Sequence, residues 1–226
     1  MPDADAAAGY RVTDGSRWLD NTKENGGKAW ASPFSTVTVQ YLTEITGEVS
    51  RAGFSQIWCK DAVFPDFRES DLNYIGESVQ NPERSAALVQ LVNQLAQTAG
   101  NVPLWVEVDA ADAAEGTAEM FQPDTLHVSG VVLDLAENAA QAKTLLPQIK
   151  TKAGDLPLCL TADAGADLQE LKAASQDGTG VFCRQHKRRR CISKKDLKRT
   201  TAAVQACIYI EKGISCFETE TWENDR

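Results

Sequence analysis

Four apolar runs in this chain close on charged side chains of types that do acid–base or nucleophilic chemistry. SQIWC is followed by Lys60-Asp61, VPLWV by Glu107 and Asp109, GVVL by Asp134, and LPLCLTA by Asp163. Carboxylates gathered at one place can act as general acid, general base or nucleophile. The same residue types also end strands and cap the helices that follow. In an extended chain neighbouring side chains point to opposite faces, so Lys60 and Asp61 divide between two faces while Glu107 and Asp109 share one. His127, in LHVSG, stands alone in the body of the chain and reads as hydrogen-bonded structure. No Ser/His/Asp signature, Gly-rich phosphate loop or metal-binding His pair occurs, so no cofactor is expected.

The elements that must position these groups are legible from periodicity. Ser35 caps a helix whose apolar positions Val39, Leu42, Ile45, Val49 and Ala52 step by three and four, and Gly53 ends it. Phe54–Cys59 is too short for a helix and rich in large apolar residues, as a strand is. Asn81-Pro82 then starts a helix carrying Leu88, Leu91, Val92 and Leu95, and Gly100 stops it. The alternation continues with strands at 102–108, 130–135 and 156–161, helices at 110–120, 139–149 and 167–174, and a further strand over 178–183. Strands alternating with amphipathic helices predict an α/β fold with a parallel sheet, and their continuous apolar runs fit strands covered on both faces.

Charge divides the chain. Residues 1–180 hold 12 Lys/Arg against 26 Asp/Glu, a net −14, whereas residues 181–226 hold 11 against 6, a net +5. Residues 1–34 read as an irregular approach, 35–180 as the α/β unit, and 181–226 as a basic tail foreign to the fold, as a shifted reading frame would produce. Cys183, His186, Cys191 and Cys207 in that tail are of zinc-ligating type, but their spacing matches no common finger, and no metal is expected. HKRRRC is a single short basic run beside an acidic body, so no nucleic-acid partner is expected. Cys59 and Cys159 lie in apolar runs and fit reduced, core-packed thiols. Neither a run of about eighteen apolar residues nor an export signal is evident, so no membrane segment is expected. Localisation and oligomeric state are left open.

The segments GSRWLDN, KAWASPF and AGFSQIWCKDAVFP, with the helix between the last two, resemble a bacterial family of glycoside hydrolases of unknown function with an amylase-like (β/α)8 barrel. Trp30, Pro33 and Phe34 match its Trp-x-x-Pro-aromatic motif before a helix, and Gly53, Phe54, Ile57, Phe64 and Pro65 match its strand motif. The match runs from about Tyr10 to Pro65 and more loosely to Asp163. It implies a partial TIM-type barrel lacking its N-terminal strands, because a complete barrel takes about 250 residues and the matching segment sits near the fourth strand.

Barrel function resides at the C-terminal ends of strands, which makes the charged closures named above the candidates. The resemblance implies a carbohydrate partner, with Asp61 as nucleophile and Glu107 as general acid, and with Lys60, Asp109, Asp134 and Asp163 contacting sugar. Trp18 and Trp30, in polar surroundings, are the candidate sugar-stacking surfaces, whereas Trp58 and Trp105 read as core. One departure is specific. The family's strand ends in an aspartate where this chain has Lys60, which would occupy the nucleophile's place and bridge to Glu107 or Asp134. Three readings stay open: a glycoside hydrolase, a half-barrel that binds glycan or protein without turnover, and a truncated product.

Overall fold

The computed structural model describes residues 9–12, 14–68, 70–71, 84–135, 139–162, 173, 180–183, 204–209 and 219–221, the last three segments through their backbone pairing. The expected helix start at Asn81-Pro82, Asp163, the helix over 167–174 apart from Ala173, and the side chains of Cys183, His186, Cys191 and Cys207 lie outside the described residues.

Helix α1 (Thr36–Arg51) begins where the sequence signals it, with the Ser35 side chain accepting from the Thr38 amide at 3.3 Å. Its buried stripe includes Leu42, Ile45 and Val49, and Gly53 follows its end with φ 85°. Helix α2 (Arg84–Ala99) buries Leu88, Leu91, Val92 and Leu95 on one face. The Ser50 hydroxyl donates to the Ala99 carbonyl at 2.8 Å, joining the C-terminal turns of α1 and α2. Helix α3 (Ala110–Glu115) is shorter than periodicity predicts, because Gly116 takes φ 87° and returns its amide to the Asp112 carbonyl. Helix α4 (Ala142–Ala153) follows a 3-10 turn at Ala139–Gln141 and buries Leu146 and Ile149.

Strands β1 (Gln56–Lys60), β2 (Leu104–Asp109), β3 (Gly130–Asp134) and β4 (Leu158–Ala162) pair in parallel in the order of the chain. The fold is therefore α/β with a parallel sheet. Beyond Gly180 the backbone pairing continues, with β5 (Gly180–Cys183) parallel to β4, β6 (Val204–Tyr209) parallel to β1, and β7 (Thr219–Thr221) antiparallel to β6. The order across the sheet is β5-β4-β3-β2-β1-β6-β7.

Consecutive parallel neighbours have a geometric consequence. When each crossover has the same hand and each new strand is added on the same side, all the helices fall on one face. The packing shows this: Ile57, Cys59, Leu104, Val106, Val131, Leu133 and Leu160 join the helix residues Leu42, Val49, Leu88, Leu95, Leu146 and Ile149 in one large core. Their strand neighbours Trp58, Trp105, Val132 and Cys159 form a second, smaller cluster to which no described helix contributes. Among the described residues the sheet thus has a helix-covered face and a face on which no described helix packs, the helix-free face.

On the helix-free face Trp105 stands opposite Gly130 in the ladder. A Cβ at position 130 would fall inside contact distance of the Trp105 ring, so the absent side chain is what lets the indole lie across β3. Gly130→Ala is expected to lower stability by about 1–3 kcal/mol through overpacking, and combining it with Trp105→Leu should recover most of that loss. Urea unfolding of the three variants checks this; equal losses in the single and the double variant would contradict it.

Candidate functional site

Three rows of side chains cross the helix-free face, and the ladder sets their order. Trp58, Trp105 and Gly130 form the first. The register Cys59 to Val106 carries Lys60 beside Glu107, and Glu107 is followed by Val132 and Cys159. Nearer the C-terminal ends lie Asp109, Asp134 and Thr161. Apolar groups fill the N-terminal part of the face, and charged groups collect where the strands end.

Lys60 is the last residue of β1 and points to the helix-free face, with only 7% of its surface exposed. Its Nζ lies 3.4 Å from Glu107 Oε2 and 5.0 Å from the centre of the Trp58 ring, which is itself 1% exposed. The indole face favours the cation, and the carboxylate opposes it with unlike charge. Lys60 and Glu107 therefore form a buried ion pair seated on an aromatic floor.

Asp61, the sequence candidate for nucleophile, does not continue the strand. Its φ is 54°, the one positive value at a non-glycine among the described residues, and aspartate is among the few side chains that tolerate that conformation. The chain turns there into Ala62, Phe64 and Pro65, with Ala62 and Phe64 buried in the main core. Lys60, rather than Asp61, shares the face with Glu107.

Asp109 serves the backbone. It is the N-cap of α3, its Oδ1 accepting from the Ala111 and Asp112 amides at 2.8 and 3.0 Å. Asp134 is half-buried at the end of β3, opposite Asp109 in the ladder. Thr161, fully buried beside it, places an Oγ1 that has no hydrogen-bond partner among the described residues.

The tryptophans divide differently from their sequence surroundings. Trp18, expected as a sugar-stacking surface, is 4% exposed and packs between Tyr10 and Phe67, at centroid distances of 6.4 and 4.8 Å. That expectation is corrected: the Trp18 ring is part of the core. Trp30 is half-buried and donates its indole N–H to Asp20 at 3.0 Å. Slight burial raises the Asp20 carboxyl, but the Lys28 amide at 2.7 Å and the Trp30 indole outweigh it and hold the group below the usual carboxylate range. Phe34, which the sequence placed in the pre-helix motif but not among the site residues, is 37% exposed and packs at a tilt with its ring centre 6.3 Å from that of Phe64, itself under the Arg84 guanidinium. Its signal was present in WASPF, where it follows the proline before a helix cap.

His127 is exposed, and its backbone N–H donates to the Asn93 side chain at 2.7 Å. Among the described residues no group of His, Cys, Asp and Glu is arranged to hold a metal ion. Also among these residues, no helix is long and apolar enough to cross a membrane.

On the other face Cys59 is wholly buried, and burial, with the charges of Asp61 and Glu107, pushes its thiol up to about 12. A thiol that keeps its proton in the folded state adds stability that is complete below the ordinary thiol range and is lost as pH rises toward about 12. Native Cys59 should therefore resist iodoacetamide at pH 8 and react once urea unfolds the chain, as peptide mapping would show. Lys60→Met should destabilise by about 3–5 kcal/mol, because it strands the Glu107 carboxylate in a buried place. Lys60→Met with Glu107→Leu should regain most of that loss in chemical denaturation, and strict additivity would contradict the pairing. Comparison of the chain with protein-family models and with curated proteins gives no match.

Proposed function

We propose that this chain is a TIM-type (β/α) domain of glycoside-hydrolase descent that binds carbohydrate at the C-terminal ends of β1–β3 and does not cleave it by the two-carboxylate route. The observation that carries this reading is the Lys60–Glu107 pair. Glycoside hydrolysis needs two carboxyl groups flanking one bond, about 5–5.5 Å apart for retention or roughly 6.5–9.5 Å for inversion. Here the neighbour of Glu107 is an ammonium group, and Asp61 has turned out of the strand. A general acid must carry a proton, whereas the ion pair uses the ionised form of Glu107.

What supports a sugar ligand is the family likeness of residues 10–65, together with the chemistry at the strand ends. The Lys60 ammonium with the carboxylates of Glu107 and Asp134 offers donors and acceptors to sugar hydroxyls. Under this reading Asp134 and Asp163 orient hydroxyls, Asp109 stays with its helix, and the described strands are one part of the barrel the family has.

Isothermal titration with a panel of oligosaccharides, alongside a reducing-sugar assay, tests the proposal. Saturable binding without sugar release is expected, with Asp134→Asn weakening it about tenfold through loss of one charge-assisted hydrogen bond. Release of reducing sugar that Glu107→Gln abolishes would instead establish hydrolysis with Asp61 as nucleophile. Neither binding nor release, with a non-cooperative thermal melt, would identify a product without independent function.

A further inference from the structure

The lysine at the end of β1 has a carboxylate neighbour that can serve chemistry as well as pairing. Nζ faces a carboxylate oxygen at 3.4 Å, lies over an indole ring at 5.0 Å, and has Val132 and Cys159 further along the same row. About a tenth of each side chain of the pair remains open to solvent. A primary amine, a carboxylate able to receive and return its proton, and a place largely closed to bulk water are the components of carbonyl capture by an amine.

We propose that Lys60 is a nucleophile toward small hydroxyaldehydes, the open-chain form of reducing sugars, which it captures as a protonated imine with Glu107 as proton carrier. The choice of a sugar aldehyde rests on the carbohydrate reading above; the amine chemistry does not. The Lys60 ammonium passes a proton to Glu107, and the neutral amine nitrogen attacks the carbonyl carbon. A C–N bond forms and the π pair moves onto oxygen. That oxygen takes the proton from Glu107, and Glu107 then removes one from nitrogen to leave the neutral carbinolamine. Glu107 returns its proton to the hydroxyl, the C–O bond breaks, and water leaves. Ammonium and aldehyde become protonated imine and water, with no oxidant or reductant consumed.

The charge balance suits this place in the fold. The positive charge on Lys60 before capture is present again on the imine nitrogen afterwards, so the buried Glu107 carboxylate has a cationic partner at both ends of the step. An isolated buried lysine would leave no such partner for the product, and an isolated buried glutamate would supply no nucleophile.

Trapping of the intact wild-type chain tests this without depending on a variant. The protein is incubated with glycolaldehyde and cyanoborohydride, which reduces an imine to a stable secondary amine, and modified lysines are quantified by peptide mapping. Lys60 is expected to be labelled at least about tenfold faster than the exposed Lys23 and Lys143, and to lose that advantage in urea. Glu107→Gln, in samples whose melt remains cooperative, should slow Lys60 labelling about tenfold and leave Lys23 unchanged. A buried ion pair without this chemistry would label more slowly than the exposed lysines, and that result overturns the proposal. Titration with methyl glycosides, which have no free aldehyde, separates the two readings. Glycoside binding with no Lys60 adduct overturns carbonyl capture alone, whereas a Lys60 adduct with no glycoside binding upholds it and removes the carbohydrate reading.

Discussion

A lysine held between a carboxylate and an indole, at the end of β1, is the constraint around which the site is arranged. Burying an ammonium group costs several kcal/mol unless it is paired. The Lys60 cation is tolerated because Glu107 stands next to it on β2 and Trp58 lies below it on its own strand. Moving Lys60 by one place along the strand would send it into the helix-covered core, where its neighbours Ile57 and Cys59 already pack. The register of β1 against β2 is thereby fixed twice, by apolar packing on one face and by charge on the other.

The two faces follow from the order of the strands. With each strand laid beside its predecessor, α1, α2 and α4 cover one side and take up most of the apolar surface in a single core. The other side carries a short apolar floor of Trp58, Trp105, Val132 and Cys159 and then the polar strand ends. Gly130 belongs to that floor as much as the tryptophans do, since the Trp105 ring occupies the space its side chain would take. Among the described residues, charged side chains on this face gather at the C-terminal ends of β1–β3.

Much of this was legible in the sequence, and what was not has physical reasons. Helix α1 announces itself through Ser35 and its three–four spacing, and the β strands through apolar runs that local propensity and burial both favour. The possibility of a bridge from Lys60 to Glu107 or Asp134 was readable from strand order, but the choice between them required the ladder register. The turn at Asp61 was hidden, because aspartate enters the left-handed region only when the surrounding chain demands it. Trp18 misled because Ser16, Arg17 and Asp20 make its local sequence polar, whereas its burial comes from Tyr10 and the distant Phe67. The overlong α3 was avoidable, since Gly116 marks its stop. Asp109, for which the sequence offered both a sugar contact and a helix cap, caps the following helix.

The central claim is that Lys60 lies on the helix-free face above the Trp58 ring, with Asp61 turned out of the strand. Proton NMR tests it most directly, because an aliphatic chain near an indole is shifted upfield by the ring current. The Lys60 methylene protons are expected upfield of their random-coil positions, with nuclear Overhauser contacts to the Trp58 ring. Unshifted methylenes whose contacts run instead to Leu42 or Val49 of α1 would contradict the account.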